Sequence, residues 1–151
     1  MTAGRAPERL APEVFELPVE QIRSGYYTDA YFNHARSALL ADRRRPRVLV
    51  QVFQRKHAVL CGMDEALAIL RLCSHGWDEL EVRALRDGDA IEPLETVLTV
   101  EGEYTAFAHL ETVYLGVLAR RTRIATNVRR LVEAANGKDV LYFPARHDHF
   151  C

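Results

Sequence analysis

The sequence predicts an α+β fold: short strands around helices, then one helix-to-strand step of the kind that opens a barrel or a parallel sheet. Three observations carry this. Stretches 48–53, 80–85 and 96–100 are rich in β-branched residues or alternate polar with apolar. Residues 63–73 carry apolar side chains at helical spacing, with Ala66, Leu67, Ile69, Leu70 and Cys73 on one side. After residue 103 the pattern changes to a nearly all-apolar helix, a second helix and a short apolar strand.

Residues 1–13 read as a flexible tail rich in alanine, proline and charge. Residues 17–24 form a lead-in, punctuated by Pro18 and Gly25. Thr28 or Asp29 caps a helix running to about residue 42, with Tyr31, Ala35, Ala38 and Leu39 along one face. The run Arg43-Arg44-Arg45-Pro46 reads as an exposed loop. Residues 58–61 form a second strand ended by Gly62, and Arg86-Asp87-Gly88-Asp89 forms a turn between strands. These pieces make residues 14–103 one α+β unit.

Residues 105–119 and 122–135 are expected as two helices joined by the arginine-rich connection Arg120-Arg121-Thr122-Arg123. Asn136-Gly137 stops the second helix. Residues 140–143 then read as a buried strand, with Arg146 just past its carboxyl end, where α/β folds place ligands. Residues 104–151 are therefore read as the start of a barrel.

Composition bounds the function. Hydrophobic residues make up 48% and charged residues 27% of 151, ordinary values for a chain that buries a core. Twenty Lys+Arg against 21 Asp+Glu give a net charge of −1, which argues against a general nucleic-acid binder. The charge is unevenly spread. Between Asp64 and Glu103 eleven acids face only Arg71, Arg83 and Arg86, whereas no acid falls between Thr112 and Val132, which hold five arginines. Such a cationic stretch suits an anionic ligand or a solvated helix face. Three cysteines without a CxxC pair, and no secretory or membrane-spanning segment, point to a reduced, cytoplasmic protein with no membrane partner.

Several motifs resemble the nicotinate phosphoribosyltransferases, in the class that also holds the quinolinate and nicotinamide enzymes. They are Gly25-Tyr26-Tyr27-Thr28-Asp29-Ala30-Tyr31-Phe32, Glu101-Gly102-Glu103-Tyr104, Leu110 to Leu118, Ile124-Ala125-Thr126, and Val140-Leu141-Tyr142-Phe143 with Arg146. The resemblance implies an N-terminal hammerhead-like domain leading into an irregular α/β barrel. It implies transfer of a phosphoribosyl group from phosphoribosyl pyrophosphate to nicotinate, giving nicotinate mononucleotide, in a homodimer. Coupling to ATP, and Mg²⁺ on the pyrophosphate, are expected of the complete enzyme, with neither bound by this chain.

Position by position, the resemblance makes Tyr31 a ring-stacking residue given across a dimer interface, and Phe143 the aromatic on the ring's other face. It makes Arg146 the holder of the substrate's carboxylate or phosphate. Asp29 and Thr126 match pocket-lining positions. Arg120, Arg121, Arg123 and His147 are candidate phosphate contacts; no residue is assigned to the chemical step and none to a metal. Where the family commonly shows a glycine before that arginine and a second arginine after it, this chain has Pro144 and His147. A closed barrel typically needs about 250 residues, so a chain reaching only the first strand is expected to be inactive alone, as a fragment or an early-ended frame. The alternative expectation is a non-catalytic remnant that acts as a protein-interaction module.

Overall fold

A computed structural model describes residues 8–143. Its helices are α1 (Val19–Arg23), α2 (Ala30–Ala41), α3 (Met63–Cys73), α4 (Tyr104–Phe107) and α5 (Glu111–Ala135). Its strands are β1 (Arg47–Phe53), β2 (Ala58–Val59), β3 (Glu81–Ala84), β4 (Ala90–Ile91) and β5 (Thr96–Glu103). This is the α+β domain expected from the pattern.

The principal sheet has the order β1-β5-β3, every pairing antiparallel. Period-two alternation sorts its faces. Val50, Val100 and Val82 stand in register and belong to the core, while Leu49, Glu101 and Glu81 share the outer face. There Arg47 bridges Glu101 and Glu81 at 3.0 Å each. The outer acids explain why β5 runs past Val100 to Glu103, further than the apolar pattern alone suggests. Gly102 packs closely under Leu80: a Cβ there would lie 2.3 Å from Leu80 Cδ2, so the leucine would have to shift. The motif Glu101-Gly102-Glu103 is thus strand architecture, with Glu103 also pairing Arg45 at 3.2 Å.

Helix α3 lies at the centre of the fold, with Met63, Ala66, Ile69, Leu70 and Cys73 fully buried. Strands β2 and β4 form a second, two-stranded ladder, and Phe107, Leu110, Tyr114 and Leu118 complete the same core. Arg9, in the stretch read as a tail, donates to Asp64 (2.7 Å) and to the carbonyls of Ala84 and Leu85. It ties the start of the described chain to α3 and β3.

Two expectations are corrected. The two helices expected over 105–119 and 122–135 are a short α4, a single 3-10 turn at Ala108–Leu110, and one continuous α5. Arginine is a strong helix former and no glycine or proline interrupts residues 117–135, so the charged run continues the helix instead of joining two. Residues 140–143 form no strand; they are irregular, and Phe143 is 80% exposed. A buried parallel strand needs neighbours on both sides to satisfy its backbone groups, and residues 8–143 supply none there.

Candidate functional site

The Thr28-Asp29 motif is held by a specific clip. Asp29 precedes α2, yet its carboxylate does not cap the helix. It turns instead to the start of α5, where the Thr112 hydroxyl donates to Asp29 Oδ2 at 3.0 Å and accepts from the Asp29 backbone N–H at 3.2 Å. The clip fixes the first turn of α2 and so the direction of Tyr31. That ring is 60% exposed and lies 4.3 Å, centroid to centroid, from the ring of buried Phe32.

The surroundings of Tyr31 are acidic. Partial desolvation and then the Glu111 and Asp29 charges raise the Tyr31 phenol above its ordinary pKa. Desolvation, then Asp29, raises the Glu111 carboxyl likewise. Tyr26 and Tyr27 add two more exposed rings, packed edge to face at 5.0 Å. This patch offers aromatic faces and acceptors. A carboxylated ring placed on it would still need cations from elsewhere.

The candidate cations lie further along α5. Arg120, Arg121 and Arg123 fall inside the helix, not on a connection. Arg121 pairs with Glu65 of the first turn of α3; the two are within ion-pair reach, although Glu65 Oε2 is not aligned for a hydrogen bond. Its aliphatic stem crosses Gly62, which has φ +95° and would place a Cβ 2.8 Å from Arg121 Cδ. A residue with a side chain is therefore disfavoured at Gly62 by both conformation and contact.

Thr126 has a structural duty in this chain. Its hydroxyl accepts from the Val59 N–H at 2.9 Å and donates to the Thr122 carbonyl at 2.7 Å. Thr122 does the same one turn earlier, accepting from the Cys61 N–H (3.2 Å) and donating to the Cys61 carbonyl (3.1 Å). Two threonines thus dock α5 onto the end of β2 and the chain just after it. Fourteen residues separate Thr112 from Thr126 on one helix, a rise of about 21 Å. Asp29 and Tyr31 are therefore not brought beside Thr126 within one copy, and Arg121 lies about 14 Å along the helix from Thr112. Phe143 stands exposed on irregular chain, and Arg146 and His147 lie outside the described residues.

Sequence reasoning missed Thr112, Thr122, Glu65 and Gly62 as the residues that position the candidates. It also missed buried His109, whose ring lies 5.4 Å from that of exposed His75 and whose two ring nitrogens lack a partner among the described residues. Burial, followed by the neighbouring His75 and Arg36, pushes His109 down to about 4. A polar residue inside the apolar stretch after Tyr104 was the available signal. An open cavity of about 640 Å³ between the N-terminal segment, α3 and β3 contains the Arg9–Asp64 pair and Trp77, but none of the predicted site residues. Among the described residues no group of three or more His, Cys, Asp or Glu side chains could hold a metal ion. No helix there is long and apolar enough to cross a membrane.

Comparison with known proteins follows the same geometry. The structure is similar to a nicotinate-nucleotide pyrophosphorylase from Pyrococcus furiosus, at 31% identity and a TM-score of 0.77, covering 89% of this chain and 35% of that one. Human nicotinic acid phosphoribosyltransferase shares the fold at 23% identity and TM-score 0.64, over 74% of this chain and 29% of that one. NadC from Streptococcus pyogenes does so at 18% and 0.63, over 85% and 45%. The chain thus spans about a third to a half of the length of these relatives. No curated protein matches it. The findings correct the narrower expectation of nicotinate phosphoribosyltransferases to the wider quinolinate and nicotinate-nucleotide group. The profile of the quinolinate phosphoribosyl transferase N-terminal domain matches residues 29–122, from the aspartate clipped to the start of α5 to the threonine that docks its middle, and the chain belongs to that family.

Proposed function

We propose that this chain is the N-terminal portion of a phosphoribosyltransferase of NAD biosynthesis, working in the cytoplasm on a pyridine carboxylate and phosphoribosyl pyrophosphate. The family match over residues 29–122 carries the reading. The clip that fixes Tyr31 supports it, because a flat pyridine ring gains from a preorganised aromatic face. Tyr31 and Asp29 serve one end of the site; Arg146, with Phe143 and His147, serves the other, while Thr126 with Arg120, Arg121 and Arg123 stands between. The ends meet when a second copy of the complete enzyme brings its Tyr31 to the first copy's strand end. Both nicotinate and quinolinate present the planar ring and carboxylate this chemistry recognises, and ATP coupling belongs to the nicotinate version.

The protein's part in the reaction is placement and charge stabilisation at an oxocarbenium-like ribose carbon. Joining the chain in frame to the remaining portion of the Pyrococcus furiosus relative tests this. The joined protein is expected to form nicotinate mononucleotide from phosphoribosyl pyrophosphate with one of the two acids, and to lose rate on Tyr31→Ala. A folded chimera inactive with both acids overturns the reading.

A further inference from the structure

Thr112 is mounted more firmly than the segment it holds. It stands two residues before Tyr114, which is 1% exposed, and Leu118 and Thr122 anchor the same helix in the core. By contrast α2 buries only Phe32 of its twelve residues. Its other ties are polar: Asn33 Nδ2 donates to the Gly25 carbonyl at 3.1 Å, and Arg36 Nε to that of Thr105 at 3.0 Å. The end of α2 that carries Tyr31 is therefore held largely from outside the helix.

Asp29 shows what holds it. It occupies the N-cap position with extended dihedrals, φ −63° and ψ 136°, where an aspartate ordinarily accepts from the N–H groups of its own helix. No such side-chain cap forms here; the carboxylate accepts from Thr112 of α5 instead. A bond that would stabilise α2 alone is thus replaced by one that ties α2 to α5. The Thr112 hydroxyl is saturated by the same segment. It donates to Asp29 Oδ2, accepts from the Asp29 N–H, and lies 3.4 Å from the Thr28 hydroxyl. One donor and two acceptor sites are all that a hydroxyl has, so none remains for a ligand. Thr112 acts on what it holds and not on a substrate.

We propose that Thr112 is a positioning residue, which through Asp29 aims the ring of Tyr31 at the pyridine acid. This deepens the function proposed above and rests on it. The aiming concerns the ring contact and not the ribose carbon, so its loss falls on binding of the acid and spares the phosphoribosyl donor.

Two measurements test it. In the full chain labelled with fluorotyrosine, the Tyr31 fluorine resonance, assigned by Tyr31→Phe, is expected to shift or broaden in Thr112→Val while those of Tyr104 and Tyr114 stay in place. Valine keeps the β-branched shape and removes only the hydroxyl. In the joined enzyme described above, Thr112→Val is expected to raise KM for the pyridine acid about tenfold, with kcat and the KM for phosphoribosyl pyrophosphate changed less than about twofold. Thr112→Ser is expected to restore the original KM. In a Tyr31→Ala background Thr112→Val is expected to add nothing, because a residue that acts through the ring has no effect once the ring is gone. Thr112→Ala carries the same cycle should the valine variant misfold. An unmoved Tyr31 resonance, losses that multiply in the double variant, or an equal loss for acid and donor overturns the inference alone. A folded joined enzyme that is inactive with both acids before any substitution overturns the proposed function, and the role of Thr112 with it.

Discussion

Thr122→Val isolates the docking of α5. Threonine and valine are close in shape and both β-branched, so the exchange leaves no cavity and little change in helix propensity. What it removes is one buried hydroxyl, 5% exposed, that serves both the N–H and the carbonyl of Cys61. Two net hydrogen bonds contribute about 1 kcal/mol each, and a buried backbone group left unpaired costs about 1–3 kcal/mol. Cys61 is only partly buried, so water reaches some of what is lost, and the expected destabilisation is about 2 kcal/mol. Thr126→Val, at a half-exposed position, is expected to cost about half as much. Urea unfolding followed by far-UV circular dichroism reads both, with a shifted midpoint and unchanged slope. A Thr122→Val loss below about 0.5 kcal/mol, or the reverse order of the two variants, refutes the claim that these hydroxyls fasten the helix.

Gly62→Ala should destabilise by about 1–2 kcal/mol from its left-handed backbone alone, and more if the Arg121 stem cannot move; the same unfolding measurement reads it. Leu110, fully buried beside Phe107, should cost about 2–5 kcal/mol on replacement by alanine, lowering the urea midpoint. His109 is neutral in the fold because burial holds its pKa at about 4, below the ordinary 6.5. Its contribution is therefore complete above the unfolded value and is lost as pH falls from about 6.5 toward 4, by about 3 kcal/mol at most. Urea midpoints at neutral and acid pH should diverge, and His109→Leu should narrow the gap; an unchanged gap contradicts the burial argument. Tyr31→Ala should leave stability within about 0.5 kcal/mol, since the ring is exposed.

Much of the fold was legible because periodicity reports burial directly. The spacing of Ala66, Ile69, Leu70 and Cys73 placed α3 at its observed bounds, and the β-branched stretch 48–53 marked β1, whose Val48, Val50 and Val52 prove to face the core. The charged run after Ala119 was misread because arginine says where water is, not where a helix ends. Residues 140–143 have strand composition, but a strand exists only with partners, which local sequence does not reveal. At the candidate site the Thr-Asp motif was visible while its partner was not: Asp29 meets Thr112 across 83 positions. Thr126 illustrates the remaining gap. A threonine on a helix is equally suited to a ligand and to a neighbouring N–H, and only tertiary structure assigns its hydroxyl to Val59.

The proposed function rests on the described residues of one copy holding separate pieces of the proposed site, Tyr31 near the start of α5 and Arg120 to Arg123 about 12–17 Å along it. Titration calorimetry of nicotinate, and separately of quinolinate, into the isolated chain tests this most directly. No saturable heat is expected up to millimolar ligand. Binding at about 10 μM or tighter (roughly 7 kcal/mol) that Tyr31→Ala abolishes would contradict it.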